Sequence, residues 1–134
     1  MFSNQLTFVH ASTVNNCKYM ITSLDFKEAF TRLHTWISFF WHIHLQTIVM
    51  LSEKQVRIIH INTTKSLFYL CPNKRYFINP VSVGQPRDGN PRAAFAIYDS
   101  KRKCVSFFFA SHMIMKALQR NSSIFDYQEE WIKE

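Results

Sequence analysis

The stretch Asn79-Pro80-Val81-Ser82-Val83-Gly84-Gln85-Pro86-Arg87-Asp88-Gly89-Asn90-Pro91-Arg92 holds both glycines of the chain and three of its four prolines. Glycine permits positive φ and proline fixes φ at roughly −65°, so gathering them here specifies a tightly shaped, non-regular loop. Strand-like runs flank it, and it carries Arg87, Asp88 and Arg92. Two readings compete. In one, Arg87 and Asp88 only brace a connector. In the other, the loop is shaped to meet phosphate, for which the arginine fork is well suited.

Working outward, the chain alternates apolar strand-like runs with short polar breaks. Residues 5–10 and 37–41 read as buried strands, with a helix over 24–33 between them. That helix shows an apolar stripe of Phe26, Ala29, Phe30 and Leu33, and Asp25 with Glu28 forms a capping-box-like pair at its start. Residues 47–51 and 56–61 form a hairpin around Ser52-Glu53-Lys54. Strands at 66–70 and 75–78 follow. Residues 93–98 and 104–109 make a second hairpin, whose tip is Lys101-Arg102-Lys103. A helix over 112–119 and a short one over 125–132 close the pattern. With 134 residues and no repeats or linkers, this is one domain, or half of one.

Composition excludes several classes. Aromatic residues make up 16%, Phe alone numbering 13, which argues for a folded, sheet-rich chain with some apolar surface that expects a partner. Cys17, Cys71 and Cys104 are scattered and odd in number; they read as reduced thiols of a cytoplasmic protein rather than a disulfide frame or a zinc site. The N-terminus shows no secretory signal. Residues 35–51 are too short and too polar, with His42, His44 and Gln46, for a membrane span. The net charge of +7 invites a nucleic-acid reading. There is no helix-turn-helix, no RNP-type motif and no basic helix, however, and the bases do not alternate with aromatics. No nucleic acid and no membrane are expected as partners.

The chemistry rests on histidines. In an extended segment His42 and His44 point the same way, so both could face one metal pair. Neutral imidazole suits Zn, Fe, Mn or Ni. His10 ends a strand expected beside 37–41, where ligands commonly gather. His34, His60 and His112 have no motif context, and His60 is expected to face solvent.

These pieces resemble the calcineurin-like metallophosphoesterases, nearest the branch written as diadenosine tetraphosphatase or YfcE-like. Residues 76–99, from Tyr76-Phe77-Ile78-Asn79-Pro80 to Ile97-Tyr98-Asp99, match that family's C-terminal signature, N-P-G-S-V-G-Q-P-R-D-G followed by a strand. Leu6-Thr7-Phe8-Val9-His10-Ala11-Ser12 is similar to its fourth motif, V-H-G/A-S. Phe39-Phe40-Trp41-His42-Ile43-His44 is similar to its fifth, G-H-x-H. The resemblance implies the C-terminal half of a four-layer α/β/β/α sandwich, mostly its second sheet with flanking helices. It implies His10 and His42 on one divalent metal and His44 on another, with Asn79, Ser82, Arg87 and Asp88 in the loop near them.

The sequence departs from the family in three places. Trp41 and Val81 stand where the family has glycine, positions a bulky or β-branched residue is expected to strain, and Thr13 stands for the usual proline. The motifs D-x-H, G-D-x-x-D and G-N-H-D/E, which in the family provide the bridging aspartate and most ligands of the first metal, occur nowhere in the chain. The expectation is therefore a C-terminal fragment of a metal-dependent phosphoesterase, truncated and inactive alone. The alternatives are one half of a split enzyme, whose other half is a separate N-terminal chain, and a non-catalytic binding or regulatory module.

Overall fold

The structure is a computed structural model that describes residues 3–63, 65–80, 87, 89, 90 and 92–109. The expected helices over 112–119 and 125–132 lie outside the described residues, as do Val81, Ser82 and Asp88. Eight strands and one helix are described: β1 (Ser3–Val9), α1 (Ser23–Arg32), β2 (Thr35–Phe40), β3 (Thr47–Ser52), β4 (Gln55–His60), β5 (Lys65–Tyr69), β6 (Arg75–Asn79), β7 (Ala94–Asp99) and β8 (Cys104–Phe109). A five-stranded sheet runs β1-β2-β6-β3-β4, and a three-stranded one runs β5-β8-β7. β1, β2 and β6 are mutually parallel, while β3 returns antiparallel to β6 and pairs with β4.

Strand alternation feeds two cores. Ile48 of β3, Tyr76 and Ile78 of β6 and Phe39 of β2 meet Val105 and Phe107 of β8 in the space between the sheets. Val49, Phe77 and Phe40, on the opposite face, meet Phe26, Ala29 and Phe30 of α1. Phe77 sits at the centre of the second core, its ring 4.8 Å from Phe30 and edge-on to Phe40 at 6.0 Å. All six residues of β2 are buried, as expected of a strand covered on both faces. The layer order among the described residues is helix, sheet, sheet. This is a mixed α/β partial sandwich, as the sequence implied.

The helix begins with a capping box three residues earlier than the sequence pattern suggested. Thr22 accepts the Asp25 N–H through its hydroxyl (3.3 Å), and the Asp25 carboxylate accepts the Thr22 N–H (2.8 Å). Asp25 is thus the inner member of the box rather than the cap. Glu28 is drawn instead to the Lys18 ammonium at 2.6 Å. The hairpin tip at Glu53 and Lys54 takes left-handed φ values of 48° and 69°, the geometry that lets a two-residue turn follow strand twist. No helix among the described residues is long and apolar enough to cross a membrane.

Candidate functional site

The ends of β1 and β2 bring the first two histidines together. The two strands run parallel in register, Val9 opposite Phe40, and the Trp41 N–H continues the ladder by donating to the His10 carbonyl at 3.0 Å. The next residues on each strand then leave the sheet side by side. His10 Nε2 lies 3.1 Å from His42 Nδ1, with ring centroids 4.8 Å apart. Strand adjacency brings the pair together, so two histidines 32 residues apart in sequence share one hydrogen bond.

The extended geometry expected for His42 and His44 is not what the backbone adopts. β2 ends at Phe40, and a tight turn follows in which the Ile43 N–H donates to the Trp41 carbonyl at 2.7 Å. His42 and His44 both take left-handed φ, 65° and 56°. The rule that alternate side chains share a face holds only in a pleated strand, so the spacing does not carry the argument here. Nor does the substitution of glycine by tryptophan strain the chain at Trp41. The positive φ falls one residue later, on His42. The Trp41 indole packs beside exposed Phe8, with ring centroids 6.3 Å apart.

The signature loop holds this turn from below. Asn79, fully buried, donates from Nδ2 to the Trp41 carbonyl at 3.0 Å. It therefore fixes the peptide that precedes His42. Gln46, also buried, donates from Nε2 to the carbonyls of Pro80 (2.8 Å) and Phe95 (3.2 Å), tying the far side of the turn to both ends of the loop. Gly89 has φ of 73°, the permissive backbone expected of a loop glycine. Arg92 is braced within the loop by Asn90 Oδ1 and lies over Phe109, so it serves the loop rather than the site.

Arg87 reaches the histidines through Tyr19. Its guanidinium lies 5.4 Å from the Tyr19 ring centroid, and that ring lies 4.0 Å from the His42 ring. Neither Tyr19 nor Gln46 belongs to any motif, and no sequence signal marks them. Partial burial lowers the His42 pKa from its ordinary value, and the nearby charges of His10 and Arg87 lower it further; a hydrogen bond to the Cys17 backbone opposes them. These effects together favour the neutral imidazole. His60, expected in solvent, is exposed, with Nδ1 3.2 Å from the Thr47 hydroxyl.

A neutral imidazole offers a lone pair to a metal, and the spacing of the pair can be compared with that need. Two nitrogens each about 2.1 Å from one metal stand about 3.0 Å apart at a right angle and about 3.4 Å apart at a tetrahedral one. The observed 3.1 Å falls between these values. That spacing is compatible with two neighbouring ligands of one ion as well as with the hydrogen bond that joins the rings. His10 and His42 make two ligands, not a shell: no group of three or more His, Cys, Asp or Glu side chains placed to hold a metal occurs among the described residues.

No family model matches the chain. An uncharacterized protein of Methanocaldococcus jannaschii is 34% identical over 82 residues, 61% of this chain and 31% of that protein. The crystal structure of a metallophosphoesterase from Sphaerobacter thermophilus superposes with a TM-score of 0.76 at 28% identity, covering 91% of this chain and 51% of that one. The chain thus spans about half the length of that solved structure and under a third of the curated relative. Over that span the fold is metallophosphoesterase-like.

Proposed function

We propose that this chain supplies the histidine half of a calcineurin-like phosphoesterase site, nearest the YfcE or diadenosine tetraphosphatase-like branch. His10 and His42 hold one divalent ion, His44 contributes to a second, and the loop of Asn79, Ser82, Arg87 and Asp88 shapes the phosphate side. Two bound ions (Mn, Fe, Zn or Ni) would polarise a phosphoryl oxygen and lower the pKa of a bound water. This chain's own residues do the rest. Asn79 sets the peptide before His42, Tyr19 backs the His42 ring, and Arg87 offers positive charge to an incoming phosphate ester. The chain brings no D-x-H, G-D-x-x-D or G-N-H motif. The carboxylates that would complete such a site have to come from outside these 134 residues, and these residues alone are not expected to turn over substrate.

The observation that carries this reading is the 3.1 Å meeting of His10 and His42 on parallel strand ends, in a fold similar to a metallophosphoesterase. Titration of the chain with Mn²⁺, followed by imidazole NMR, is expected to broaden His10 and His42 before the other histidines. His10→Gln should abolish the effect at His42. Mixing with a polypeptide that carries the three missing motifs should then start hydrolysis of p-nitrophenyl phosphate. Uniform broadening of all histidines would remove the proposal's basis. A second reading, a non-catalytic binding module, is favoured by the two filled cores, in which Phe77 and Phe107 are wholly buried. It predicts a stable monomer or dimer, and no hydrolysis on mixing.

A further inference from the structure

Beside the histidine pair lies an apolar recess of about 150 Å³. Its floor is Met20, Phe26 and Ile43, all buried, and Ile58 of β4 forms one wall. Exposed Tyr19 and Arg87 stand at its rim. Tyr19 is the shared partition: it lines the recess, and its ring contacts His42 at 4.0 Å. Arg87 donates weakly to the Tyr19 hydroxyl at 3.4 Å, so its charge lies at the boundary between recess and histidines.

We infer that this recess receives a compact apolar group, about the size of a phenyl ring, carried by a phosphate monoester whose phosphate lies against Arg87. The inference rests on the phosphoesterase reading above and names its substrate class. An apolar cavity of about 150 Å³ accepts a benzene-sized ring. Burying such a ring on Met20, Phe26, Ile43 and Ile58 removes apolar surface from water, a gain that a methyl ester or free phosphate cannot make. Thr47 and His60, 3.2 Å apart, add polar groups on another side, and a mainly apolar lining with a few polar groups is usual in small-ligand sites. The recess is filled by one ring of that size, so it reads the group next to the phosphate and not a whole nucleotide.

The test compares inorganic phosphate, methyl phosphate, phenyl phosphate and phenol, each titrated by calorimetry into the full chain with Mn²⁺ present. Phenyl phosphate is expected to bind at least tenfold more tightly than each of the other three. With diamagnetic Zn²⁺ in place of Mn²⁺, its ring protons should show nuclear Overhauser contacts to the Ile43 and Ile58 methyls. Arg87→Gln should weaken phenyl phosphate and leave phenol unchanged. Ile58→Phe should remove the phenyl advantage, and the contacts in the unmodified chain keep the test decisive if that variant fails to fold. Equal binding of phosphate, methyl phosphate and phenyl phosphate would overturn the inference and leave the phosphoesterase reading standing. Phenol binding as tightly as phenyl phosphate, or no binding of any of the four, would likewise overturn the inference, whereas the phosphoesterase reading falls only if Mn²⁺ fails to single out His10 and His42.

Discussion

At the residue scale, Asn79 and His42 bear the most on the site. Asn79→Ala removes one of the two donors to the Trp41 carbonyl, the Ile43 N–H remaining, and the loss of one such hydrogen bond costs about 1 kcal/mol. Urea unfolding should report a loss of that size, and because the Trp41 peptide is held less firmly, Mn²⁺ affinity should fall with it. Partial burial first, then the charges of His10 and Arg87, lower the His42 pKa from its ordinary value. Arg87→Gln should therefore raise the His42 pKa, read by imidazole NMR. The sign for stability follows. A histidine that binds its proton less readily when folded contributes fully above about pH 6.5, and the contribution is lost as pH falls through the folded value. His42→Gln should flatten that part of the stability profile. The histidines stood out as candidates because the residues around them resemble metal-ligand motifs. Their turn was not, because a left-handed residue at His42 follows from the Ile43-to-Trp41 backbone bond, which no residue type announces. Tyr19 was invisible for a related reason: it reaches His42 only through the folded path of the segment between β1 and α1.

At the element scale, α1 and the β3–β4 turn make separate predictions. Thr22→Ala removes the cap hydroxyl and should cost about 1 kcal/mol in urea unfolding. Hydrogen bonds from the Thr22 backbone and hydroxyl hold the Asp25 carboxyl at about 2, below its ordinary 3.8. A depressed carboxylate stabilises above its unfolded pKa, so this contribution is complete above about pH 4 and lost as pH falls toward 2. Asp25→Asn should remove that acid dependence. At the turn, Glu53 and Lys54 occupy left-handed backbone that Asn and Gly adopt more readily. The double variant Glu53→Asn, Lys54→Gly should stabilise the chain by about 1 kcal/mol, measured as a higher urea midpoint with unchanged slope. The elements themselves were readable from apolar period and turn residues. The capping box was misplaced because Asp25 can serve as cap or as third helical residue, and only the side-chain direction decides between them.

At the scale of the whole molecule, the order β1-β2-β6-β3-β4 places β6 between strands that precede it in the chain. Pairing of this kind is non-local, so local pattern carries no signal for it; resemblance alone implied the layered sandwich. Phe77, on β6, joins that order to the helix and lies wholly buried among Phe26, Phe30 and Phe40. Phe77→Leu should cost about 1–1.5 kcal/mol through imperfect refilling of the space. Phe77→Ala should cost about 3–5 kcal/mol, a large part of a small domain's total stability, and leave much of the chain unfolded at room temperature. Circular dichroism melts of the two variants give the ranking.

The tryptophan that stands in a glycine's place also gives the molecule an optical property. Of the three tryptophans in the chain, Trp41 is the one bonded directly to His42, with its N–H held by His10 and its carbonyl by Asn79. Its indole is half-buried, whereas that of Trp36 is sealed between the sheets. Indole emission is quenched by a neighbouring imidazolium and responds to local polarity. Trp41 is thus an intrinsic fluorophore seated at the histidine pair, and its emission reports protonation, ion binding or arrival of a partner without any added label.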